Sequence, residues 1–150
     1  MQKKICRWQL HDDMKKMRDE SCALTLENMV FDRISFVRKD FHSDEDPKFS
    51  FQISSGKKND EDIYKVTIEL RVEKDKEYDI EISLSGFFSI NVDVEAEEGY
   101  VRSLINKNAV AILMPYMRSE LSLLTAQPGV ECIVMPPINI NAMMEQKIEG

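Results

Sequence analysis

YKVTIELRVEKDKEYDIEISLSGFFSI, residues 64–90, is the stretch whose reading decides the fold. Tyr64, Val66, Ile68, Leu70 and Val72 alternate with Lys65, Thr67, Glu69, Arg71 and Glu73. A short charged turn around Asp75 follows. Beyond it Tyr78, Ile80, Ile82, Leu84, Gly86, Phe88 and Ile90 alternate with Asp79, Glu81, Ser83 and Ser85. Successive side chains of a strand point to opposite faces, so alternation this long means antiparallel strands with one dry face and one wet face.

Upstream, Phe49, Phe51 and Ile53 alternate with Ser50 and Gln52 and read as another strand, followed by a loop over 54–62. Val30 to Asp40 is rich in β-branched and aromatic residues, with mixed alternation, and His42 to Pro47 is a polar break. With short connections throughout, these segments make a four-stranded antiparallel meander. Residues 1–23 keep no clean stripe through Ile5, Trp8, Leu10, Met14 and Met17, and read as a marginal helix or an arm. Trp8 is either an anchor onto a partner or a piece of local packing.

Downstream, the acidic run Asp93 to Glu98 favours a helix N-terminus. Val101, Leu104 and Ile105 open an apolar stripe that resumes as Leu113, Met117, Leu121 and Leu124, one face of a helix assigned to the core. Pro115 cannot donate to the carbonyl of Ala111, which predicts a kink or a break there. Pro128-Gly129 ends the helix, and Asn141 is the expected N-cap of a last short helix over Ala142 to Ile148. Strands first and helices last give an α+β fold: a meander sheet with one long Pro-containing helix and one short C-terminal helix on one face.

A chain of 150 residues with 43% hydrophobic and 31% charged residues is one globular domain. Its net charge of -7, with no basic block, excludes nucleic acid as a partner. Cys6, Cys22 and Cys132 form an odd set without a CxxC spacing, as expected of reduced thiols in a cytoplasmic protein. No signal peptide and no membrane insertion are expected. No two of the five glycines have a phosphate-binding spacing, so no cofactor is expected. His42 sits among Asp40, Asp44, Glu45 and Asp46, which reads as a solvated acidic loop rather than a metal site. Ser85 and Ser89 lack an elbow motif and Cys132 has no base near it in sequence. The chain reads as no enzyme and holds no catalytic residue.

What remains is surface. Five of nine methionines, Met114, Met117, Met135, Met143 and Met144, lie in or after the helical stretch. Met117 belongs to the core stripe. For Met135, Met143 and Met144, packing and groove lining are equally open, since thioether side chains adapt to many partners. The first strand carries Phe31 and Val37 against Ile34 and Phe36, an apolar pattern on both faces that points to a homo-oligomer.

From Met29 to Ala142 the chain resembles the SecB family of protein-export chaperones. The resemblance is carried by DRISF (32–36), EDIYKV (61–66), GFFSI (86–90), AILMPYMRSELSLL (111–124) and MPPININ (135–141), in that order. It divides the chain into an N-terminal extension, 1–28, and a SecB-like domain, 29–150. It implies a homotetramer, a dimer of dimers, that holds unfolded or pre-secretory polypeptides in apolar grooves without ATP. Phe49, Phe51, Val134, Met135, Ile138, Met143 and Met144 match the groove-lining regions, and Glu81 an acidic docking position for the translocase motor SecA. Arg33 and Val37 stand where the family has acids, and Asp79 where it is apolar, and no acidic tail follows the last helix. These departures count against SecA and toward a chaperone dedicated to one client, such as an antitoxin. The competing reading is an oligomeric interaction module that binds no unfolded client.

Overall fold

The computed structural model describes residues 24–58, 62–90 and 98–145. Four strands, β1 (Leu24–Arg38), β2 (Lys48–Lys57), β3 (Ile63–Lys74) and β4 (Tyr78–Ile90), precede helices α1 (Glu98–Thr125) and α2 (Ile140–Glu145). All strand pairs are antiparallel, in the order β1-β4-β3-β2. The α+β class is as expected, but the sheet is not a simple meander. Only β2, β3 and β4 are neighbours in chain order, and β1 lies beside β4. The segment 39–47 is long enough to carry the chain across the end of the β3–β4 hairpin, which gives a Greek-key arrangement.

Alternation in β3 and β4 translates directly into burial. Val66, Ile68, Leu70, Val72, Ile80, Ile82 and Leu84 are at most 2% exposed, while Lys65, Glu69 and Arg71 face water. β2 extends past Ile53 to Lys57, because Ser54, Ser55 and Gly56 pair with Thr67, Val66 and Lys65. β1 begins at Leu24 rather than Val30. Its alternation looks mixed because its register against β4 shifts twice, between Leu26 and Asn28 and between Phe31 and Arg33. Each shift inserts one residue, Glu27 and Asp32, and resets the phase. Phe31, Ile34 and Phe36 therefore share the inner face, opposite Leu84, Ile82 and Ile80. The two-faced apolar pattern expected of a subunit contact is an effect of this bulge, and Val37, with Val30, is what stands on the outer face. Both bulge carboxylates are satisfied by β4: Ser89 donates to Glu27 and Ser85 to Asp32.

On the inner face α1 lays Ile105, Ala109, Val110, Leu113, Met114, Met117 and Leu121 into the core. Leu124 packs at its margin. The helix is not broken at Pro115. Pro115 and Ala111 are both exposed, so water can serve the carbonyl that loses its helical donor. Thr125 ends α1, donating its hydroxyl to the Leu121 carbonyl at 2.9 Å, and Gly129 turns the chain at φ +78°. α2 starts two residues earlier than expected: Asn139 is its cap, its Oδ1 accepting the Ala142 amide at 3.2 Å.

At Gly86 the helix packs directly onto the strand. A Cβ there would lie 2.7 Å from Phe88 Cε2 and 2.8 Å from Leu113 Cδ2. Gly86→Ala should lower stability by about 1–3 kcal/mol, as overpacking of a filled core does, measured as a lower urea midpoint at unchanged slope.

Candidate functional site

Past α1 the chain doubles back along the helix that it has just left. Arg118 Nε donates to the Met135 carbonyl at 3.1 Å and Ser122 Oγ to the Ile133 carbonyl at 3.0 Å. The Ile133 amide donates to Thr125 Oγ1 at 2.9 Å. Polar helix side chains thus satisfy the backbone of an irregular apolar segment, which a buried loop requires. Neighbours along it face opposite ways. Met135 turns inward, 5% exposed, while Val134 stands out, 77% exposed. Val134 lines a cleft of about 480 Å³ with Leu123, Cys132, Ser122 and Arg118. Leu123 is 68% exposed. Its position is off the core stripe of α1, so it is carried to the solvent side.

The other residues matched to groove regions are spread around the same core. Phe49 lies on the inner face of β2 opposite Val72 and is 43% exposed. Phe51, opposite Leu70, and Ile138 are half-buried against the core. Met143 and Met144 belong to α2, and their side chains lie outside the described residues. Phe41, on the 39–47 crossover, is 85% exposed. In the sequence it falls between the strand pattern that ends at Asp40 and the polar break that begins at His42, and so belongs to neither.

Three connections meet at the end of the sheet beside Phe41. Arg38 donates to the carbonyls of Asp40 and Phe41, at 3.0 and 3.3 Å, and to that of Gly129 at 2.8 Å. The Glu77 carbonyl accepts the amides of Lys39 and Asp40 at 2.8 and 3.2 Å. Beneath them Lys74 and Glu77 form a buried ion pair at 2.8 Å. The hydrogen bond from Lys74 holds the Glu77 carboxyl below its ordinary range against the pull of burial, with the Lys74 charge and the Ser43 amide assisting. The same bond raises Lys74. Burial raises the Tyr78 hydroxyl beside them.

The outer sheet face is wet and charge-balanced. Its cavity of about 580 Å³ is lined by Asp32, Arg33, Glu69, Arg71 and Glu81, among others. Glu81 pairs with Arg33 at 2.7 Å and Asp79 with Lys39 at 2.8 Å. Among the described residues no group of three or more His, Cys, Asp or Glu side chains is placed to hold a metal ion. No helix among them is long and apolar enough to cross a membrane.

Comparison with known proteins places this geometry. The family model described as Preprotein translocase subunit SecB matches residues 23–150. An uncharacterized protein of Methanocaldococcus jannaschii is 27% identical over 132 residues, covering 82% of this chain and 83% of its own length. The protein-export protein SecB of Anaplasma phagocytophilum is 32% identical over 83 residues, 55% of this chain and 52% of that protein. That of Methylococcus capsulatus is 32% identical over 84 residues, 56% and 52%. The match thus spans about half the length of each named SecB. In structure, the chain is similar to a SecB-like chaperone of Mycobacterium tuberculosis solved in complex with a ChAD peptide from an antitoxin. The TM-score is 0.67 at 11% identity, over 85% of this chain and 99% of that one, a likeness of fold.

Two measurements check the geometry. Met135→Asp should cost at least about 3 kcal/mol of stability by putting an unpaired charge in the core, whereas Val134→Asp should change it by less than about 0.5 kcal/mol. Glu77, its carboxyl depressed, stabilises the fold fully above the ordinary value of 4.5, and this is lost as pH falls through the folded value. Lys74 acts in the opposite sense, fully below 10.5 and lost as pH rises through its raised value. Urea melts should find Glu77→Gln about 2 kcal/mol less stable at pH 7, with the gap closing below pH 4.5.

Proposed function

The chain belongs to the SecB family, and on that footing we propose that it is an ATP-independent holdase chaperone that binds unfolded polypeptides on apolar surface shared within a cytoplasmic homotetramer. The observation that carries the reading is a set of large apolar side chains held in water on ordered backbone. Val134, Leu123, Phe41 and Phe49 are between 43% and 85% exposed. An unfolded client offers apolar side chains, and covering them contributes about 25 cal/mol per Å² on each partner. Binding only the unfolded state keeps the client from folding or aggregating by mass action, so no nucleotide and no catalytic group are needed. The client-contact set is then Phe49, Phe51, Val134 and Ile138 with Met143 and Met144, and Met135 supports Val134 from below. The chaperone domain takes in all of β1 from Leu24, so the boundary expected at 28/29 moves to 23/24 and the extension is 1–23. β1, with Val30, Ile34 and Val37 at 39%, 45% and 56% exposure, is the edge offered to a second copy.

A dedicated client, such as an antitoxin, is favoured over general export by the outer face. Glu81, the acidic position kept there, is already engaged by Arg33, and Asp79 by Lys39. A motor that docks through an acidic sheet surface, as the resemblance implies for SecA, meets a balanced surface here. The Mycobacterium tuberculosis relative in complex with an antitoxin peptide sets the precedent.

The protein should delay aggregation of an unfolded apolar client at stoichiometric amounts, equally with and without ATP. Val134→Asp and Phe49→Asp should each weaken that binding about tenfold, the loss of one buried apolar side chain. Normal protection by both variants would place client contact elsewhere. No protection by the wild-type chain would leave an interaction module instead. Native mass measurement should give a tetramer; a strict monomer sinks the shared surface.

A further inference from the structure

Phe41 and Phe49, 85% and 43% exposed, stand on the stretch 40–49 together with Asp40, Asp44, Glu45 and Asp46, all exposed. Aromatic surface flanked by carboxylates fits a segment that is apolar and basic at once. Residues 1–11, MQKKICRWQLH, have that composition: Ile5, Trp8 and Leu10 among Lys3, Lys4 and Arg7, with no acid. They lie outside the described residues. We propose that residues 1–11 dock on the Phe41–Phe49 patch of the chain and hold it as an internal substitute for a client, leaving when a client binds. The client's part in this rests on the chaperone reading.

Length permits the contact. Leu24 lies opposite Ile90, and the patch lies toward the other end of the sheet, where Arg38 pairs with Tyr78 and Lys48 with Glu73. Ile90 and Tyr78 are about 40 Å apart along β4 at a strand's rise per residue. Residues 9–23, between Trp8 and Leu24, reach about 50 Å when extended. A segment tethered this way is present at its site at roughly millimolar effective concentration, so a weak contact suffices to fill the patch. Charge complementarity selects the segment: the chain carries -7 overall, and its first eleven residues hold three basic groups and no acidic one.

Trp8 is the chain's only tryptophan, so intrinsic fluorescence of the full-length protein reports on this segment alone. Its emission should lie at shorter wavelength than that of a synthetic peptide of residues 1–11. It should move to the peptide's wavelength on Phe41→Asp, on Phe49→Asp, and on saturation with an unfolded client. Both substitutions are at exposed positions, and circular dichroism should find the fold intact. Emission already equal to the peptide's overturns the proposal. So does short-wavelength emission that neither substitution moves, because Trp8 then packs elsewhere. A chain lacking residues 1–11 should bind client more tightly, about tenfold if the segment fills the patch nine-tenths of the time, and unchanged affinity overturns the substitute role. Failure of both forms to bind any unfolded client would sink the chaperone reading, with the docking still decided by Trp8.

Discussion

The approach of Leu113 to Gly86 sets the distance between the two layers of this protein, and most of its other features depend on that distance. A side chain at position 86 would collide with both Phe88 and Leu113, so the close contact exists only because the strand carries glycine there. With Leu113 seated, helical spacing brings Val110, Met117 and Leu121 onto the inner face of β3 and β4, where strand alternation has already placed Ile68, Leu70, Ile80 and Ile82. Two periodicities meet at one point, and the core follows from their agreement. Loss of the Pro115 hydrogen bond is tolerated because it falls on the opposite, wet side of the helix.

Once the helix is seated, the segment after it has one route, back along α1, and its composition fits that route. Hydroxyl and guanidinium groups of Arg118, Ser122 and Thr125 hold its backbone, while Ile133 and Met135 face the core. The residue between them must face out. Val134 is thus exposed because Ile133 and Met135 on either side of it face inward, and Leu123 because it lies off the core stripe of the helix. Apolar surface held open in this way keeps its shape without a partner, which lowers the ordering cost when one arrives.

The parts legible in the sequence were those whose periodicity runs uninterrupted. β3 and β4 hold phase for whole strands, and Leu113, Met117, Leu121 and Leu124 for three turns of helix. β1 was illegible because Glu27 and Asp32 each advance the phase by one residue, so a clean inner face reads as a mixed pattern. The strand order was hidden for a related reason: hairpin spacing describes neighbours in sequence, and β1 finds its neighbour across the sheet. Around the loop, Ile133, Val134 and Met135 alternate over too few residues for their phase to be read without the helix beside them. The match of Glu81 to an acidic docking position could be read from residue order, but its ion pair with Arg33 depends on a register that the bulge sets.

Those bulges bear on self-protection. An open sheet edge recruits any strand with matching spacing, and β1 is such an edge. β1 interrupts that spacing twice, and both interruptions are locked from behind by Ser85 and Ser89. A passing chain with regular alternation can match the stretch between two bulges but not the whole edge. As an edge strand, β1 is thus a poor template for an incoming chain of regular spacing.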